Sequence, residues 1–129
     1  MMTRLASLPL TLAVMACGSQ SAGSRLANAP TVAGQARDAL TRDCVACHGT
    51  TPVGDHNKLN NINDLGLLAS GPAVKPGQPQ LSKIWRRMTS TAAPMPPLFD
   101  PTTGAAIPRP AAADLAAITA WISAGAPAQ

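Results

Sequence analysis

The sequence predicts an all-α domain, and three observations lead there. Apolar residues recur at helical spacing in three stretches, around 32–40, 81–88 and 115–122. No segment reads as a convincing strand, and there are no internal repeats. Glycine and proline clusters, such as Gly71-Pro72, Pro76-Gly77 and the run from Pro94 to Pro110, fall between the periodic stretches and mark loops.

Ahead of the first helix stands a segment that reads as an address. Met1 to Ala16 carry a positive end at Arg4 and an apolar run through Leu5, Leu8, Leu10, Leu12 and Val14, the pattern of an export signal. The run is shorter than the roughly 20 apolar residues of a permanent membrane span. It ends in Val14-Met15-Ala16-Cys17, which looks like a bacterial lipobox. That likeness implies a signal peptide over 1–16, a lipid-modified Cys17 as the first mature residue, and a chain exported to the periplasmic side of a bacterial membrane. The alternative is an ordinary signal peptide that leaves a lone thiol in an oxidising compartment. Residues 17–30, rich in Ser, Ala, Gly and Asn, read as a flexible tether. The folded domain is then 31–129.

Within that domain, Thr31 is placed to cap a helix over about 32–43, with Val32, Ala36, Ala39 and Leu40 on one face. Leu59, Ile62, Leu65, Leu67 and Leu68 follow in an Asn-rich context that Gly66 interrupts, giving a short helix or a turn-rich cover. Pro79 suits the first position of a helix on which Leu81, Ile84, Trp85 and Met88 share a face. A last helix is expected over about 110–124, with Leu115, Ile118, Trp121 and Ile122 inward, Asp114 favourable to its dipole and Gly125 placed to end it.

Composition narrows the function. The chain has 129 residues, with 10 Lys and Arg against 6 acids, all of them Asp. The charge is scattered, which argues against a nucleic-acid arm. Trp85, Trp121 and Phe99 are the only aromatic residues, so an all-protein core would be thin and a bound apolar cofactor would supply the missing bulk.

The stretch that names such a cofactor is Cys44-Val45-Ala46-Cys47-His48. Two cysteines separated by two residues, with histidine directly after, form the attachment pattern of c-type haem. Each thiol can add to one porphyrin vinyl group, and His48 can ligate the iron from the proximal side. A zinc site or a redox disulfide is the competing reading. Zinc needs two more ligands, for which only His56 and Cys17 remain. A thioredoxin-like motif belongs beside a strand–helix pattern, and none is visible.

For the sixth iron ligand the candidates are His56, Met88 and Met95. His56 follows His48 by too few residues to pass easily around a porphyrin edge. Met88 lies on an apolar helix face, where methionine usually fills a core. Met95 sits in Ala93-Pro94-Met95-Pro96-Pro97, a loop stiffened on both sides, which loses less entropy when a weak thioether ligand is fixed. Met95 is therefore the expected ligand.

With these residues in view, the domain resembles the class I c-type cytochromes, in particular the small cytochrome c domains of planctomycete and related bacterial proteins. The matching stretches are Cys44 to Gly49, Ser70 to Pro79, Ser82 to Met88, Met95-Pro96-Pro97 and Ala120 to Ala126. The resemblance implies one covalent haem c wrapped by helices and proline-rich loops. It gives Cys44 and Cys47 as thioether anchors and His48 and Met95 as axial ligands. It also implies crossing first and last helices, with Ala36 and Leu40 brought towards Ile118 and Trp121. The segment Thr50 to Leu68 departs from the family pattern and leaves the carbonyl that orients His48 open, with Pro72 or Pro52 as its source. Arg86 or Arg87 is placed either to neutralise a haem propionate or to remain solvated on the back of a helix.

A haem with both axial positions filled offers no vacancy for substrate. The expected function is outer-sphere electron transfer between a redox donor protein and an acceptor, by a membrane-tethered carrier rather than an enzyme. One alternative is a haem protein whose sixth ligand is displaced for small-molecule binding or peroxidatic chemistry. Another is a haem-free lipoprotein with a zinc or disulfide site.

Overall fold

A computed structural model describes residues 30–50 and 59–129. The signal peptide at 1–16, Cys17, the tether except Pro30, Pro52 and His56 all lie outside the described residues. Among those described, the elements are α1 (Val32–Asp43), α2 (Val45–His48), α3 (Leu65–Ser70), a 3-10 turn (Pro79–Leu81), α4 (Lys83–Thr89) and α5 (Ala112–Ser123). An isolated bridge between Phe99 and Ala106 is the sole β pairing among them. The described part is all-α. None of its helices is long and apolar enough to cross a membrane.

Thr31 opens α1 as expected, its hydroxyl accepting from the Gly34 amide at 3.0 Å. The buried stripe is Ala33, Ala36, Ala39 and Leu40. Val32, expected on that face, is instead 39% exposed, and Ala33 takes the inward place. Size accounts for the choice. Three alanines on the buried face let α5 approach closely, and Ile118, Trp121 and Ile122 fill the same core with no exposed surface.

The helix ends reinforce this pairing. Arg42, in the last turn of α1, forms an ion pair with the buried Asp114, in the first turn of α5. Each charge also suits the dipole of the helix that carries it. At its other end α5 closes in a Schellman motif: the Ala126 amide donates to Trp121 O at 2.9 Å and the Gly125 amide to Ile122 O at 3.0 Å. Gly125 adopts φ 91°, the left-handed region that favours glycine. The returning chain lets Trp121 Nε1 donate to Pro127 O at 2.8 Å, so the buried indole is satisfied.

The Asn-rich region resolves into a turn followed by α3, capped by Asp64, whose Oδ1 accepts from the Leu67 amide. Gly66 lies inside this helix rather than breaking it. The helix expected from Pro79 is divided at Ser82, and Leu81 is 54% exposed rather than part of an inward face. Ser82 is the cause. Its fully buried hydroxyl accepts from the Lys75 amide at 2.9 Å and lies 3.0 Å from Gln78 O, so it bonds to the preceding loop instead of continuing a helix. Beyond it, Trp85 joins α4 to α5 by donating from Nε1 to Thr119 Oγ1 at 3.1 Å.

Replacing Ser82 by Ala would strip the Lys75 amide of its acceptor. We expect a loss of about 1–3 kcal/mol, read as a lower urea midpoint with an unchanged slope.

Candidate cofactor site

The end of α1 sets the first side of the site. The Cys44 amide donates to Leu40 O at 3.0 Å and closes α1, and Cys44 is also the first residue of the next turn. Cys47 and His48 both donate their amides to Cys44 O, at 3.1 and 2.9 Å. Residues three and four apart in such a turn share a face, and Cys44, Cys47 and His48 all line one cavity. Gly49 is required directly after them, because a Cβ there would come within 2.8 Å of Val45 O.

The segment that the sequence leaves unmatched supplies the support for His48. The Ile62 amide donates to His48 O at 3.0 Å and the Asn61 amide to Gly49 O at 3.1 Å. This pairing sets Leu59 O 3.0 Å from His48 Nδ1. A carbonyl only accepts, so Nδ1 carries the proton, and the lone pair of the neutral ring is on Nε2. The orienting carbonyl is thus that of Leu59, not Pro72; Pro52 lies outside the described residues. Backbone carbonyls leave no mark on residue identity, and no sequence signal pointed to this one.

The cavity, about 420 Å³ and open to solvent, falls within the usual size of cofactor sites. Its walls are mostly apolar, with Leu59, Ile62, Leu68 and Ile84 among them. Met95, Pro96 and Pro97 line it from the proline-rich loop and Met88 from α4, so both methionines weighed as ligands reach the same space. Met88 is also core, at 5% exposure, whereas Met95 is half-buried. The Met95 amide donates to Arg87 O at 3.0 Å, and the Met95–Pro96 peptide bond is cis. Of the two arginines, Arg87 lines the cavity and Arg86 does not. Arg87 also donates to Ala93 O at 3.2 Å. Lys83, one helical turn before Arg87, lines the cavity too; its i, i+4 spacing from Arg87 was visible in the sequence.

These residues fit a haem by their chemistry. The lining is mostly apolar, as the face of a porphyrin requires. Two cations are available for acidic edge groups, and two thiols and an imidazole share one turn. Burial, with added repulsion from Asp43 and Cys47, pushes the Cys44 thiol up to about 12. Among the described residues no three His, Cys, Asp or Glu side chains converge as a metal site.

Asp43 is a member of the wall that sequence reasoning passed over, although it adjoins the motif. Its Oδ2 is buried without a hydrogen-bond partner. Loss of solvation and the nearby Asp114 push its carboxyl above the usual range, against the opposing pull of Arg42. No family model, curated protein or solved structure matches the chain.

An acid with a raised folded-state value binds its proton more tightly when folded. Its contribution to stability is present in full below the ordinary carboxylate range and is lost as pH rises through the raised value. Asp43→Asn should therefore unfold at a higher temperature than the unsubstituted chain at neutral pH, the difference vanishing in acid. Thermal melts across pH would measure it.

Proposed function

We propose that the chain is a membrane-tethered monohaem c-type cytochrome that carries electrons between redox proteins, with residues 31–129 adopting a small cytochrome c fold. The observation that carries this reading is the convergence of Cys44, Cys47, His48 and Met95 on a single, largely apolar cavity. Cys44 and Cys47 would hold a haem c through thioethers. His48 would ligate the iron through Nε2, its ring held by Leu59 O, and Met95 would ligate it through the thioether sulfur. When bound, the group supplies a one-electron ferric–ferrous couple. The chain's own part is to grip, orient and keep dry. Leu59, Ile62, Leu68 and Ile84 would cover the group's apolar surface, and Lys83 and Arg87 would offer positive charge to propionates.

Met95 is favoured over Met88 because its loop is already restrained, by prolines on both sides and by its amide bond to Arg87 O. With His48 and Met95 both holding the group, no position would be left for a substrate, which supports electron transfer over catalysis. The lipobox-like Val14 to Cys17 supports export and a lipid anchor at Cys17 on the periplasmic side of a membrane.

The test is expression in an exporting host equipped for c-type maturation. We expect a coloured protein whose haem survives a denaturing gel and acid acetone. Met95→Ala should keep the covalent haem, lose the far-red methionine–iron charge-transfer band, and bind CO in the ferrous state. A colourless product would overturn the reading, and stoichiometric zinc in it would favour the metal-site alternative. A band that survives in Met95→Ala would move the ligand to Met88.

A further inference from the structure

We propose that Arg109 is the positioning residue for Met95: one guanidinium that clamps the ligand loop to the end of α4 without itself touching the cofactor site. The inference rests on the cytochrome reading and deepens it. The motif and the family resemblance gave Arg109 no role.

The geometry is a fork. Arg109 Nη1 donates to Pro96 O at 2.9 Å, and Nη2 donates to Met88 O. Pro96 directly follows Met95 and lines the cavity, and Met88 lies in the last turn of α4. The two acceptors therefore belong to the two separate segments whose methionines reach the cavity. Arg109 itself is not part of the lining. It can influence a ligand at Met95 only by holding the backbone beside it.

Three features suit Arg109 to this task. Carbonyls in the last turn of a helix have no partner within it, and they lie at the negative end of its dipole, so a cation there is favoured. The neighbouring last-turn carbonyl, Arg87 O, is taken by the Met95 amide, so two successive carbonyls of α4 hold the same loop. The clamp is also stiff. Arg109 lies between Pro108 and Pro110, which fix φ on either side and favour extended backbone at Arg109. Lysine cannot reproduce the fork, because an ammonium is a point charge on a flexible stem while guanidinium presents its donors in a fixed plane.

Arg87 is a lesser part of the same arrangement. Its bond to Ala93 O restrains the chain before Met95, but it starts from the same helix and joins no third segment. Arg109 comes from thirteen residues beyond Pro96, after the hairpin closed by the Ile107 amide on Leu98 O at 2.9 Å. The clamp thus ties the hairpin, the ligand loop and α4 together.

The test uses the full chain matured with haem, comparing the unsubstituted protein with Arg109→Ala, Arg109→Gln and Arg109→Lys. In Arg109→Ala the gel haem stain and far-UV dichroism are expected to stay unchanged. The far-red methionine–iron band should weaken, and CO binding by the ferrous form should tighten. Hydrogen exchange at the Met95 amide should quicken by about tenfold to a hundredfold, the change that loss of a charged hydrogen bond implies. Arg109→Lys should fall between Ala and the unsubstituted protein. If Arg109→Ala does not fold, Arg109→Gln, with one donor group left, carries the same measurements. A variant that only melts earlier, with band, CO affinity and Met95 exchange unchanged, overturns the inference and leaves the cytochrome reading intact. Absence of covalent haem from the unsubstituted protein overturns both; faster Met95 exchange without a change in the band overturns the link from clamp to ligation.

Discussion

The close packing of α1 on α5 is the constraint from which the rest of the molecule follows. Ala33, Ala36, Ala39 and Leu40 meet a core containing Ile118, Trp121 and Ile122, all with almost no exposed surface. The pairing of Arg42 with Asp114 joins the last turn of α1 to the first turn of α5. Where α1 ends is where Cys44 begins, and the single turn from Cys44 to His48 hangs on two amides bonded to Cys44 O. A core of alanines against one tryptophan is shallow. It leaves little apolar volume away from the cavity, so the site wall and the core draw on the same few residues: Ile62, Leu68, Ile84 and Met88 are counted in both. For a chain with three aromatic residues in 129, that sharing is the economical solution.

The same junction concentrates charge. Asp43, Arg42 and Asp114 gather where the two helices meet, and Arg42 satisfies only Asp114 by direct contact. Asp43 is left with a buried, unbonded oxygen in the cavity wall. Burial first, and then the negative charge of Asp43, push the Cys44 thiol upward. The carboxylate and thiol are held together by helix packing, which neither can alter alone.

Much of this was legible in the sequence, and the failures have physical reasons. The first and last helices were readable because their caps and periodicity agree: Thr31 at one end and Gly125 at the other lie where the helices start and stop. The cysteines, His48 and Met95 stood out in the sequence by residue type and spacing, and the structure brings all four to one cavity. Val32 and Leu81 misled because periodicity sees apolar character but not the size of the helix opposite, nor the pull of a buried serine hydroxyl towards a loop. Gly66 misled because a cap at Asp64 outweighs the modest propensity cost of one glycine. Leu59 and Arg109 were not readable. One acts through its carbonyl, the other on carbonyls, and a backbone group has the same appearance in every residue.

That last point bears on how the site is divided. One half is local: Cys44, Cys47, His48 and the carbonyl at Leu59 lie within a short stretch joined by adjacent backbone bonds. The other half is remote, with Met95 carried on a loop whose hold on α4 comes from the amide of Met95 and the side chains of Arg87 and Arg109. The two halves differ in what would release them. Freeing His48 from its carbonyl means breaking backbone pairing between 48–49 and 61–62, whereas freeing Met95 means opening one backbone bond, its amide to Arg87 O, and the side-chain bonds of Arg87 and Arg109. Opening free energy varies across a fold and is lowest where few buried contacts resist it. The Met95 side, held by a single backbone bond and by side chains largely at the surface, is therefore the side that opens first.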